Sequence, residues 1–83
     1  MDKKTVFNTV AHTIGAQFQV QAADVTEATN FQRDLGADFV DLAHFIVEIE
    51  DEFGDVIPDD AAEQIETVQD LVKVIIQNTP NKK

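Results

Sequence analysis

Gly36-Ala37-Asp38-Phe39-Val40-Asp41-Leu42 is the stretch on which the fold reading turns. Asp38 is a good N-cap, and Asp41 three residues on makes a capping-box-like pair. The helix opening there carries Leu42, Ile46, Ile49 and Phe53 at i, i+4, i+7 and i+11, a stripe suited to a core. Phe39, Ala43 and Val47 lie on a neighbouring strip with Glu50. That strip is apolar yet close to the surface, which a helix with purely structural duties does not need. Gly54 ends the helix. Glu50, Asp51 and Glu52 crowd its last turn, where the macrodipole disfavours them by roughly a few tenths of a kcal/mol. A local cost of that kind points to a duty other than stability.

Upstream, Val6, Val10 and Ile14 recur at i, i+4 and i+8 with Phe7 and Ala11 beside them. They predict a first helix over 3–16, capped by Asp2 and ended by Gly15 or the residues just after it. From 17 to 37 the spacing of Phe18, Val20, Val25, Phe31 and Leu35 is too irregular for one helix. A long loop with apolar anchors is expected, with a short turn near 22–25; a loop of about twenty residues usually has a job. Downstream, Ile57-Pro58-Asp59-Asp60 reads as a helix entrance, proline then capping aspartate, to a short helix over about 60–65. Thr67 with Asp70 is a second capping box. It opens a last helix with Val68, Leu71, Val72, Ile75 and Ile76 on its apolar face. The whole chain, 1–83, is expected to be one domain with its core over about 3–78 and a frayed tail at 79–83. The fold class is all-α: a small four-helix bundle with three main helices, a short third helix and a long first loop.

Composition narrows the function. Sixteen acids face six bases among 83 residues, a formal net charge of −10. No Lys or Arg lies between Arg33 and Lys73, whereas 34–70 holds thirteen carboxylates. Nucleic acid and anionic membrane are repelled by such a segment, and basic protein surfaces are steered towards it. No apolar stretch approaches the ~20 residues of a membrane span, and Met1-Asp2-Lys3-Lys4 does not read as a signal peptide. A soluble, cytoplasmic monomer is the expectation. The chain has no cysteine and no serine. With no Ser or Cys nucleophile, glycine-rich phosphate loop or paired acid and base, it is expected not to be an enzyme. His12 and His44, the latter with Glu48 at i+4, are too isolated to predict a metal site. The acids do not match an EF-hand.

Phe31-Gln32-Arg33-Asp34-Leu35-Gly36-Ala37-Asp38, then Asp41-Leu42, then Glu48-Ile49-Glu50-Asp51-Glu52-Phe53-Gly54 and Ile57-Pro58-Asp59 follow one another in order. Together these stretches resemble the acyl carrier proteins of dissociated bacterial fatty-acid synthesis. The resemblance runs from about Val6 to Ile76. It implies the carrier four-helix bundle, a shuttle of acyl groups as thioesters of 4′-phosphopantetheine, and a core that opens between the second and third helices to admit the acyl chain. It also implies an acidic second helix that docks basic enzyme surfaces, at positions matching Asp38, Val40, Asp41, Ala43, Val47, Glu50, Asp51 and Ile57. His44 departs from the acid common at its place.

The sharpest departure is Phe39. The family pattern there is Asp-Ser-Leu, and this chain reads Asp38-Phe39-Val40. Attachment needs a hydroxyl oxygen to attack the coenzyme A pyrophosphate, and a benzyl group has none. None of Thr5, Thr9, Thr13, Thr26, Thr29, Thr67 and Thr79 is near in sequence. As written, the chain is expected to hold no phosphopantetheine and to act as a docking module of fatty-acid synthesis. Two alternatives stay open: a true carrier whose attachment serine was replaced, and a regulatory or structural subunit that uses the carrier fold for binding. Without an arm, the bundle is expected to be more closed than a working carrier.

Overall fold

Four helices and one short turn carry the chain in the computed structural model, which describes residues 2–78. The elements are α1 (Lys3–Phe18), a 3₁₀ turn (Ala22–Asp24), α2 (Phe39–Phe53), α3 (Asp59–Ala62) and α4 (Val68–Asn78). The tail expected at 79–83 lies outside the described residues. The all-α four-helix bundle stands, with α1 packed against both α2 and α4. The one β-type pairing among the described residues is an isolated bridge between Asn30 and Thr67.

The core forms where the apolar stripes of the three long helices meet. Val6, Val10 and Ile14 of α1, Phe45 and Ile49 of α2, and Val68, Leu71, Val72 and Ile75 of α4 are all buried. Phe45 sits at the centre, its ring centroid 5.5 Å from that of Phe31 and 5.9 Å from that of Phe18, in tilted aromatic packing. The centre of α2's buried face therefore runs through Phe45 and Ile49. Leu42, Ile46 and Phe53, placed by the sequence on the core stripe, are half-buried at its margin.

Two helix limits differ from the sequence reading. α1 continues two residues beyond 16 and ends in Gln19, whose φ of 58° puts the left-handed cap on a non-glycine residue. Gly15 lies inside the helix. A Cβ there would meet the Val20 carbonyl oxygen at 2.9 Å, so glycine serves a close approach by the returning loop and not a stop. α3 covers 59–62 and not 60–65. Its N-cap is Pro58, with no side-chain cap. Its last turn tightens through Gln64 N–H to Ala61 O at 3.0 Å and Ile65 N–H to Ala62 O at 3.4 Å, which carries Ile65 into the core.

The long loop is tied down by its backbone. Phe31 N–H donates to Glu66 O at 3.0 Å and Val68 N–H donates to Thr29 O at 2.9 Å, fastening the loop to the entrance of α4. Val25, Phe31 and Ala37 are its buried anchors. The α4 entrance is held by the expected box: Asp70 N–H donates to Thr67 Oγ1 at 3.3 Å, and Thr67 N–H donates to Asp70 Oδ2 at 3.2 Å.

Candidate functional site

Two hydrogen-bonded motifs in series place the start of α2. The first spans 30–37. Asn30 Oδ1 accepts the backbone N–H groups of Gln32 at 2.9 Å and Arg33 at 2.8 Å, while Asn30 N–H donates to Asp34 Oδ2 at 2.8 Å. The single turn so nucleated closes at Gly36, whose φ of 67° is left-handed. Gly36 N–H donates to Gln32 O at 3.2 Å, the 5→1 bond of an αL closure, and Ala37 N–H donates to Phe31 O at 2.9 Å. The second motif follows at once. Asp41 N–H donates to Asp38 Oδ1 at 2.9 Å and Asp38 N–H donates to Asp41 Oδ2 at 3.3 Å, so the capping box read from the sequence is complete.

Phe39 is the first residue inside that cap. Its backbone is fixed by motifs on both sides, yet its side chain is 80% exposed. Val40 is 66% and Val47 57% exposed, and Ala43 is exposed between them. The apolar surface strip expected on α2 is thus present, one face round from the buried Phe45–Ile49 line.

Carboxylates border it. Asp38, Asp41, Glu48 and Asp51 are exposed, and Glu50 is half-buried. Partial burial, followed by the charges of Asp55, Asp59 and Asp51, pushes the Glu50 carboxyl above its ordinary range. Among the described residues the ion pairs are Lys3 with Glu27 at 3.2 Å and Arg33 with Asp34 at 3.3 Å, neither on α2. The acidic face therefore lacks internal neutralisation.

An open groove of about 320 Å³ runs beside Phe39 between α2 and α3. Phe39, Leu42, Ala43, Ile46 and Ala62 make its apolar part, and Asp59 and Glu63 its acidic lip. The sequence reading did not bring Ala62, Asp59 and Glu63 to this site, because nothing in their spacing says which side of α2 the short third helix takes.

Of the eight positions aligned with partner docking, Asp38, Val40, Asp41, Ala43, Val47 and Asp51 are exposed, and Glu50 is half-buried. Ile57 departs from the expectation. It is only 3% exposed, held in the α2–α3 connection beside the buried Val56, and so is not part of the outer strip. His12 and His44 are both exposed, and no group of three or more metal-ligating side chains exists among the described residues. No helix among those residues is long and apolar enough to cross a membrane.

Comparisons with known proteins agree with this geometry. Residues 8–75 match the family model described as "Phosphopantetheine attachment site". The chain is 48% identical over 75 residues to an acyl carrier protein of Lactobacillus acidophilus, covering 90% of this chain and 94% of that one. It is 39% identical, with the same coverage, to an acyl carrier protein of Lactobacillus johnsonii. The solved acyl carrier protein from Enterococcus faecalis superposes with a TM-score of 0.77 at 41% identity, covering 94% of this chain and 99% of that one. Sequence and backbone lead to one conclusion: this chain belongs to the acyl carrier protein family.

Proposed function

We propose that this chain is a docking member of the acyl carrier family in fatty-acid synthesis that works without a covalent arm. Acyl carrier proteins are not enzymes themselves, so any catalysis lies with the partners. The exposed Phe39 at the first position of α2 carries the reading. It occupies the place that the resemblance gives to the attachment serine, and its side chain holds no atom able to attack a pyrophosphate. The 4′-phosphopantetheine group of the family would need a hydroxyl at this position.

What remains is a binding surface. Asp38, Asp41, Glu50 and Asp51 surround the exposed Val40, Ala43 and Val47. An apolar centre within a charged border suits fast, salt-sensitive encounters with basic enzyme surfaces. Ile57 joins that surface only if the α2–α3 connection moves.

The backbone also supports the scaffold as an attachment platform in all but this side chain. Both motifs that present residue 39 to solvent are complete, so a serine there would stand on an intact helix start. The test is to incubate this chain and its Phe39→Ser form with coenzyme A and a phosphopantetheinyl transferase, and to read the masses. A gain by the Phe39→Ser form alone is the expected result. A gain by the unaltered chain refutes the armless reading. No gain by either shows that the docking surface has diverged along with the side chain.

A further inference from the structure

The acids of this chain are unevenly placed, and one long helix has none. From Lys3 to Ala23 there is no Asp or Glu, although the rest of the chain holds sixteen. Lys4, Asn8 and His12 are exposed and recur every four residues, so they share one face of α1. Beside that face the returning loop leaves an open groove of about 440 Å³. Phe7, Ala11, Ala22 and Val25 make its apolar walls, and Asn8 and His12 its rim. The next acid along the chain, Asp24, lines a neighbouring cavity with Val20 and Asp34 instead.

The groove is built before anything enters it. At one end the loop passes so close to α1 that a Cβ on Gly15 would meet the Val20 carbonyl oxygen at 2.9 Å. At the other, Lys3 Nζ reaches Glu27 Oε2 at 3.2 Å. Just past Val25, Thr26 N–H donates to Oγ1 of the buried Thr29 at 2.9 Å. A preformed groove spares its occupant much of the cost of ordering. A loop of about twenty residues usually has a job, and shaping this groove is one that the α2 surface does not account for.

Shape and charge select the occupant. α1 exposes no large apolar side chain, so it has nothing to insert into a lipid surface. A groove receives a ridge. A ridge bordered by carboxylates is repelled by α2 and meets no acid on α1. A second copy carries such a ridge, but its net charge of −10 opposes the approach. We propose that the α1–loop groove docks an acidic amphipathic helix of a protein partner. The helix sets its apolar stripe against Phe7, Ala11 and Val25 and its carboxylates towards Lys4, Asn8 and His12. Added to the docking reading above, on which this last step rests, the groove makes the chain a connector between a basic protein and an acidic one.

Two synthetic helical peptides with the same leucine stripe test this, one with glutamate and one with lysine on its polar face. Each is titrated into the full isotope-labelled chain, and amide NMR shifts are read. The glutamate peptide is expected to shift residues 7–12 and 22–25, and the lysine peptide those of α2. Added salt is expected to weaken the lysine peptide but not the glutamate peptide, whose main opposition is the screened field of the distant acids. The double variant Asn8→Glu, His12→Glu changes two exposed positions, and circular dichroism confirms that it is folded. It is expected to weaken the glutamate peptide at least about tenfold by like-charge contact. A glutamate peptide that shifts nothing, or α2 alone, overturns the proposal. Equal binding to the double variant overturns the choice of an acidic partner. Shifts at 7–12 caused by phosphatidylglycerol vesicles and not by the peptide assign the face to a membrane and overturn it. Shifts there on concentrating the chain alone assign the groove to a second copy, with the same result. A lysine peptide that ignores α2 counts against the docking reading and leaves the groove standing.

Discussion

Asn30 and Asp34 hold each other from both ends. The Asn30 backbone N–H donates to Asp34 Oδ2 at 2.8 Å, and the Asp34 backbone N–H donates to the Asn30 carbonyl at 2.9 Å. This reciprocal pair starts the turn whose far end, at Gly36, sets the entry of α2. Asn30→Ala keeps both of these main-chain bonds but removes the Oδ1 acceptor for Gln32 and Arg33. It is expected to cost about 1 kcal/mol, the size of a lost helix cap, and to lower Tm by roughly 4–8 °C, as measured by calorimetry. The backbone N–H of Asn30, then the Arg33 side chain, hold the Asp34 carboxyl below its ordinary 3.8. Its contribution to stability is therefore present above pH 3.8 and is lost as pH falls through the lower folded value.

Glu50 has the opposite sign. Its carboxyl is pushed above the ordinary 4.5 by partial burial and by Asp55, Asp59 and Asp51. The folded protein holds that proton more tightly than the unfolded chain does. Stability therefore falls as pH rises from 4.5 through the folded value, and stays reduced at neutral pH. Glu50→Gln is expected to raise Tm at pH 7 and to give no such gain below pH 4.5. A variant that melts lower than the parent at pH 7 would contradict the like-charge account.

Gly15→Ala tests the close approach of the loop. In an open helix the change stabilises by about 0.8–1.0 kcal/mol. Here the new Cβ meets the Val20 carbonyl oxygen at 2.9 Å, a backbone atom that moves only with its loop. Overpacking of this kind costs about 1–3 kcal/mol. The expected net result in urea denaturation is destabilisation, and a stabilised variant would show that the loop gives way freely.

Phe39→Ser is expected to leave stability within about 0.5 kcal/mol, because an exposed side chain at a capped first position forfeits little packing. Phe45→Ala, six residues on and fully buried, is expected to cost about 3–5 kcal/mol. Parallel melts of the two variants separate an exposed residue outside the core from one that builds it.

Charge crowding predicts a rise of Tm with salt. The segment 34–70 carries thirteen carboxylates, and Arg33 is the one base paired with any of them among the described residues. Screening relieves the repulsion without disturbing many favourable pairs. Millimolar Mg²⁺ is expected to act in the same direction. A melting temperature that stays flat from low salt through that range would be inconsistent with self-repulsion on this face.

The parts of the fold legible in the sequence were those governed by local chemistry. Asp38 with Asp41 and Thr67 with Asp70 are short-range pairs, so their boxes could be read by spacing and appear as expected. Of the two ends read for the first helix, Gly15 or the residues just after it, the second holds; a glycine near a helix end resembles a stop, and only the returning loop shows that Gly15 makes room. The span of α3 was misread because its end is drawn inward by Ile65, a tertiary demand that leaves no mark on the preceding residues. The exposed strip on α2 was legible from periodicity, while the groove beside it needed the position of Ala62 and Glu63. The Asn30–Asp34 pair went unread, although an amide followed four residues later by a carboxylate ahead of Leu35-Gly36 is a cap-like spacing that could have signalled it.

The fixed backbone at residue 39 also has a consequence for heredity. Each serine codon UCU and UCC differs from a phenylalanine codon, UUU or UUC, at a single middle base. With both motifs around the position closing through main-chain groups and the side chains of their neighbours, that base can change without refolding anything. On the docking reading proposed above, a lineage passes between a carrier that is loaded and one that only adheres in one mutational step, and returns by the same step.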